Sequence, residues 1–288
     1  MILHNRPVGG MESIEMNVWE WSGVKPTIFL CHATSFHGRC WDQIVHALPN
    51  QHIIAIDFRG HGLSTKHAPP YSFRSFGEDL AALAEKLELR EAIGVGHSLG
   101  GYAVVLAAAL RPTSFSSLLL LDPVILSESA YTSNINMPVG FILKRRHIWS
   151  SANEMIESFQ NRKPFRTWNS AVLRDYCNYG LIPSQNGSDL ILACSPEAEA
   201  SVYISSVAPE SNIYQEISQI EIPVHIVRSP LPLVAGGFET SPTAHNLVTY
   251  FRQGQETVID DISHFIPMER PELVVKLIQN ELMKFKNR

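Results

Sequence analysis

The sequence predicts an α/β fold, a mostly parallel central sheet covered by helices, with one helical segment inserted as a lid. Three observations predict it. Over the first 122 residues, short apolar runs of strand length alternate with stretches of helical periodicity. Such alternation marks parallel strands joined by crossover helices. The rhythm stops from about residue 123 to 215 and resumes in the last quarter of the chain. Finally, 45% of the 288 residues are hydrophobic and 18% charged, enough for one sizeable core and a small appended lobe.

Each element has its own signal. Residues 14–21 partly alternate polar and apolar side chains, the pattern of an antiparallel strand at the sheet edge. Residues 27–31 and 53–56 are short buried runs. Residues 76–89 place Leu80, Leu83, Ala84 and Leu87 at helical spacing. A strand at 93–95, a helix at 102–110 closed by Pro112, and a strand at 118–121 repeat the unit. Between 123 and 215 only helical fragments appear, around 151–159 and 170–179. They are interleaved with Tyr131, Phe141, Trp149, Phe159, Phe165, Trp168, Tyr176 and Tyr179. The sheet resumes at 223–227 and 257–260, and a last helix runs from Pro271 to about 285 with proline in its first turn. The division is therefore a core of residues 1–122 and 216–288, and a lid of residues 123–215.

The chemistry concentrates in Gly96-His97-Ser98-Leu99-Gly100, which lies between a predicted strand and a predicted helix. This is G-x-S-x-G in the setting of a nucleophile elbow. A serine on so sharp a turn needs neighbours without side chains, which Gly96 and Gly100 supply; Gly101 lets the helix pack close. Ser98 is then presented at the amino end of a helix, where peptide N–H groups can face a developing negative charge.

Three further stretches follow strands: Cys31-His32-Ala33-Thr34, Asp57-Phe58-Arg59-Gly60-His61-Gly62-Leu63-Ser64, and Ser263-His264-Phe265-Ile266-Pro267-Met268-Glu269. With the elbow, in this order and spacing, they resemble the α/β-hydrolase superfamily over nearly the whole chain outside the lid. The resemblance implies the α/β-hydrolase fold, with Ser98 as nucleophile and His264 as general base. It implies an oxyanion hole from the N–H of Leu99 and from the loop after the first buried strand. There Ala33 replaces the glycine common in relatives, so Thr34 is the donor by position, with Ala33 next. His32, Asp57 and Arg59 are expected to hold loops rather than react. A serine at 98 argues against relatives that carry aspartate there.

The acid has two candidates. Most relatives carry it after the strand predicted at 223–227, where this chain reads Arg228-Ser229-Pro230 and offers no carboxylate until Glu239. Some carry it after the strand predicted at 118–121, where Asp122 stands. Asp122 is preferred and Glu239 is the rival.

The net charge of −5 and the absence of a basic stripe exclude a nucleic-acid binder. Lys144-Arg145-Arg146 reads as a solvated helix face. No apolar run is long enough to span a bilayer, so no membrane partner is expected. Four irregularly spaced cysteines suggest reduced thiols and a cytoplasmic location. No cofactor and no metal are expected, because no metal-ligand spacing occurs. The partner is a small-molecule substrate. The sequence thus points to a serine carboxylesterase acting through an acyl-enzyme on a small apolar or aromatic substrate. A C–C bond hydrolase, a lactonase, or a cofactor-free lyase or oxygenase on the same residues is the alternative. A hydrolase-fold protein that binds a small molecule with little turnover is the alternative of another class.

Overall fold

The computed structural model describes residues 2–8, 14–133, 135–185, 187–230 and 240–287. Its strands are β1 (Ile2–Val8), β2 (Ile14–Trp21), β3 (Val24–Cys31), β4 (Gln51–Ile56), β5 (Ala92–His97), β6 (Phe115–Leu121), β7 (Ile148–Trp149), β8 (Leu181–Pro183), β9 (Leu190–Leu192), β10 (Val224–Arg228) and β11 (Gly254–Val258). Eight of them form one sheet in the order β1-β2-β4-β3-β5-β6-β10-β11. From β4 to β11 every pairing is parallel; β1 and β2 add antiparallel strands at one end.

Strand β2 has the expected bounds but is not at the edge, because β1 pairs along its outer side. The polar composition of residues 2–8, with Pro7 among them, hid that strand; proline is confined to edge strands, since it cannot donate to a ladder. Strand β11 begins in Gly254-Gln255-Glu256, half exposed at the opposite edge, so no apolar run marks its start.

Alternate residues of the central strands face opposite layers, as the pleat requires. Phe29, Ile54, Leu118, Leu120 and Ile226 pack in one cluster with residues of α2 (Phe73–Lys86) and α3 (Leu99–Leu110). Ile28, Leu30, Ile53, Val95, Leu119 and Val227 face the other way, toward α1 (Asp42–His46) and the C-terminal helix. Strands β5 and β6 are buried throughout, which explains their unbroken apolar composition. Helix α2 ends earlier than periodicity predicts, because Glu88, at φ +50, turns the chain out of the helix. Helix α3 starts at Leu99 and includes the glycine pair that obscured its first turn.

Residues 123–215 carry α4 (Glu128–Thr132), α5 (Gly140–Leu143), α6 (Ala152–Phe159), α7 (Ser170–Tyr179) and α8 (Pro196–Ser205), and α9 (Tyr214–Ile217) straddles their end. Helix α6 opens on a side-chain cap: Ser151 Oγ accepts from the Glu154 N–H, and the Glu154 carboxylate accepts from the N–H of Ser150, the residue before the cap. The segment is not purely helical. Strands β7, β9 and β8 form a second, antiparallel sheet; strands of two or three residues are too short to leave a periodic signal. Trp149, Met155, Phe159, Trp168 and Tyr176 of this segment share one apolar cluster with Ala33 and Phe36 after β3, and with Phe265 and Met268 after β11. The segment is thus seated on two of the loops that carry the quoted motifs. The chain closes with α10 (Ile266–Glu269) and α11 (Pro271–Lys286), which has proline in its first turn.

Among the described residues no helix is long and apolar enough to cross a membrane. All four cysteines are unpaired and buried.

Candidate active site

Ser98 occupies the turn between β5 and α3 at φ +57, ψ −117, a conformation that costs a non-glycine residue on the order of 1–3 kcal/mol. The surroundings hold it there. Its N–H donates to Leu121 O at 3.1 Å, and its carbonyl accepts from the N–H groups of Gly101 and Val124, each at 3.0 Å. A Cβ on Gly96 would fall on the Gly100 carbonyl, and one on Gly100 would fall on the Cys31 carbonyl. Both glycines are therefore required by close backbone approach, and the start of α3 lies directly against the loop after β3.

His264 lies on the loop after β11, and Asp122 follows β6 at φ +51. The structure brings the three side chains into one chain. His264 Nε2 is 3.0 Å from Ser98 Oγ, and His264 Nδ1 is 2.9 Å from Asp122 Oδ2. A carboxylate only accepts, so Nδ1 carries the hydrogen and Nε2 presents its lone pair to the Ser98 hydroxyl. Asp122 is fully buried, while Ser98 and His264 each retain 6% of their exposure. Glu239 lies outside the described residues.

Asp122 has a second set of partners that the sequence did not disclose. Ser229 Oγ donates to Oδ2 at 2.9 Å, and Ser241 Oγ donates to Oδ1. Thr243 Oγ1 lies 3.3 Å from Oδ1 and donates to Pro123 O at 2.8 Å; its N–H donates to Ser241 Oγ. Ser229 follows β10, where most relatives carry the acid. The signal available in sequence was the hydroxyl at that position, together with Ser241 and Thr243.

His264 is also fixed through its backbone. His97 Nε2–H donates to His264 O at 2.8 Å. Burial, reinforced by His264 nearby, pushes His97 well below the usual histidine range, so it stays a neutral donor. His32 bridges two loops: Nδ1–H donates to Ala33 O at 2.7 Å, and Nε2 accepts from the Phe58 N–H at 3.0 Å. Asp57 accepts from the N–H groups of Gly38 and Leu63 and from Asn17, and Arg59 pairs with Asp79.

Leu99, which follows Ser98, and Ala33 and Thr34, on the loop that lies against the start of α3, are all buried. Leu99 opens α3, so its N–H has no carbonyl one turn earlier in the helix. Among the described residues neither it nor the Thr34 N–H donates to a protein acceptor. Two such groups can receive a developing oxyanion.

A cavity of about 170 Å³ adjoins these loops through Ser35 and Phe265, next in sequence to Thr34 and His264. Phe36, Phe165, Trp168 and Tyr176 are among the aromatic residues of its wall. Trp149 and Phe159 instead pack within the inserted segment, and Tyr131 joins the main core. The expectation that residues 144–146 form a solvated helix face fails for Arg145. They follow α5 rather than lie on it, and Arg145 turns inward to pair with Glu199 at 2.6 Å. Among the described residues no three His, Cys, Asp or Glu side chains group as metal ligands.

Comparison with known proteins places the chain in one family. Lipase LipV of Mycobacterium tuberculosis is 34% identical over 113 residues, 39% of this chain and 43% of that protein. The 2-(acetamidomethylene)succinate hydrolase of Mesorhizobium japonicum is 34% identical over 110 residues, 38% of this chain and 39% of that one. Either alignment thus spans less than half of the relative. The crystal structure of E-2-(acetamidomethylene)succinate hydrolase superposes with a TM-score of 0.74, covering 97% of this chain and 98% of the other at 23% identity, a likeness of fold. The sequence profile of the alpha/beta hydrolase family matches residues 28–277, from β3 through the Ser98 elbow and Asp122 to His264 and α11, and the chain belongs to that family.

Proposed function

We propose that this protein is a serine hydrolase that cleaves small carboxylic esters through an acyl-enzyme, with Ser98 as nucleophile, His264 as general base and Asp122 as the acid that orients it. The observation that carries this is the continuous hydrogen-bonded chain from Ser98 Oγ through the His264 ring to Asp122. As Oγ attacks the ester carbonyl carbon, its proton passes to His264 Nε2. The carbonyl oxygen becomes an oxyanion facing the N–H groups of Leu99 and Thr34, and Asp122 stabilises the imidazolium. The tetrahedral intermediate collapses, the imidazolium returns its proton to the leaving alcohol, and the acyl group stays on Ser98. Water deprotonated by Nε2 then attacks the acyl carbon; the carboxylic acid leaves and Ser98 regains its proton.

The cavity favours a small substrate: about 170 Å³ is below the usual range for drug-sized ligands, and its wall is largely aromatic. Residues 123–215 serve as a lid over it. The relatives, a lipase and another hydrolase, support hydrolysis. The test is labelling with a fluorophosphonate alongside turnover of short-chain aryl esters. Wild-type protein should be labelled at Ser98 and turn over repeatedly, and Ser98→Ala should lose both properties. Undiminished turnover in that variant would sink the assignment. A single burst of acylation without turnover would favour a binding protein instead, and activity confined to vinylogous diketones would move the chemistry to carbon–carbon bonds.

A further inference from the structure

The cavity that adjoins the site loops through Ser35 and Phe265 has an ion pair in its wall, which ester hydrolysis itself does not require. Arg145 Nη1 donates to Glu199 Oε2 at 2.6 Å, and Nη2 donates to Tyr176 Oη at 2.5 Å. Ser35 Oγ lies 3.5 Å from Nη1. Ser35 follows Thr34, so the guanidinium stands one residue beyond the oxyanion donor assigned above. Burial pushes the Tyr176 phenol up to about 12, and it stays neutral at any working pH.

Two properties of this wall follow. The first is its charge. Among the described residues lining the cavity, Arg145 is the cation and Glu199 the anion, and at 2.6 Å they cancel. The second is its unspent donors. A guanidinium has five N–H groups. The three contacts above use both on Nη1 and one on Nη2. The Nε–H and the other Nη2–H have no acceptor among the described residues. The wall therefore offers hydrogen bonds without offering net positive charge. A ligand carboxylate would meet those donors but would leave a mostly aromatic cavity at net −1, close to Glu199, where charge is poorly screened. An uncharged carbonyl oxygen takes the same bonds without that penalty.

We propose, given the ester hydrolysis assigned to Ser98, that this cavity selects substrates carrying a second, uncharged carbonyl acceptor, such as a ketone or amide, beyond a short apolar spacer. The Arg145–Glu199 pair excludes the same substrate ending in a carboxylate. Glu199 is the specificity-determining residue for charge, and Arg145 supplies the bonds.

The experiment compares kcat/KM for three aryl esters of equal chain length, ending in a methyl group, a methyl ketone or a carboxylate. It uses wild-type protein, Glu199→Gln and Arg145→Met, and repeats the series with the variation placed on the alcohol side. Ratios between substrates within each protein cancel losses of folded material, and thermal melts report the fold. In wild-type protein one series should favour the ketone about tenfold or more over both other termini, tenfold being 1.4 kcal/mol. Glu199→Gln should raise the carboxylate relative to the ketone about tenfold, because Arg145 then faces the cavity uncompensated. Arg145→Met should level the ketone with the methyl ester. A wild-type preference for the carboxylate, or the same ratios in all three proteins, would overturn the proposal. If no ester is turned over and Ser98 resists the fluorophosphonate, the catalytic assignment is what fails. The cavity is then judged by calorimetric binding of the corresponding aryl ketones, diketones and keto acids: preference for the diketone that inverts toward the keto acid in Glu199→Gln supports it, and equal binding overturns it.

Discussion

Ser229, on the turn after β10, donates a hydrogen bond of 2.9 Å to Asp122, on the turn after the neighbouring strand β6. The hydroxyl stands where most relatives carry their acid, and it supports a carboxylate supplied by the strand beside it. That arrangement makes the position of the acid testable. Asp122→Asn should leave the His264 ring free to take the wrong tautomer and lower kcat for an aryl ester by about 10⁴, with KM little changed. Placing the carboxylate back from the other strand, as Asp122→Asn with Ser229→Asp, should recover at least tenfold of that loss. Steady-state kinetics on the two variants decide it, and a mild Asp122→Asn phenotype would remove the residue from the proposed chemistry.

Ser241 donates to the other oxygen of Asp122 inside a fully buried site. Hydrogen bonds to charged groups contribute about 1.5–3 kcal/mol each. Ser241→Ala should therefore lower stability by about that amount, read from the urea midpoint. Thr249→Ala, which removes an exposed hydroxyl bonded to Asn246 O, should shift the midpoint by less than about 0.5 kcal/mol.

Replacing Thr34 with proline deletes its N–H, whereas replacing it with alanine keeps it. Loss of one oxyanion donor costs about 10²–10³ in kcat. Thr34→Pro should fall by that factor while still acylating slowly with a fluorophosphonate, and Thr34→Ala should stay within about threefold of wild type. Equal losses in both variants would mean that the threonine side chain, and not the peptide group, is what the site uses.

Acid should unfold this protein through its histidines. His32, His61 and His97 are buried and held below the usual histidine range, chiefly by desolvation, His61 at about 4. In the unfolded chain they protonate near 6.5, so below that pH the unfolded state binds more protons than the folded one. Stability is therefore fully present above about pH 6.5 and lost as the pH falls below it. The slope is about 1.4 kcal/mol per pH unit for each histidine, until the folded-state value is reached. Protonating His32 would also cost the bond from the Phe58 N–H to Nε2. Urea midpoints at pH 7.5 and 5.5 should differ in this direction, and His61→Gln should flatten the dependence.

Much of this was legible before any coordinates, for a physical reason. Ser98 stands out because the glycines around it answer local needs of a strand, a turn and a helix, all within a few residues. His264 stands out by its place on the loop after the last strand. The hydroxyls around Asp122 were hidden because they meet it from more than 100 residues away in the chain, and a serine in a loop has no pattern of its own. Arg145 was misread for a related reason: its partner Glu199 lies 54 residues further on, and a run of three basic residues looks like surface. Strand β1 and the small β7-β9-β8 sheet escaped because polar or very short strands leave no periodic trace.

The pairing of β5 with β6 sets His97 opposite Leu121, so Ser98 and Asp122 are the next residues along two neighbouring rails of the ladder. Ser98 and Asp122 are thus posts whose separation is fixed by the backbone of the most buried part of the sheet. The histidine between them is pinned at its carbonyl by His97 and at its two ring nitrogens by Asp122 and Ser98. Its contacts with both posts therefore depend on the register of the ladder, and a slip of β5 against β6 by one residue would break them together.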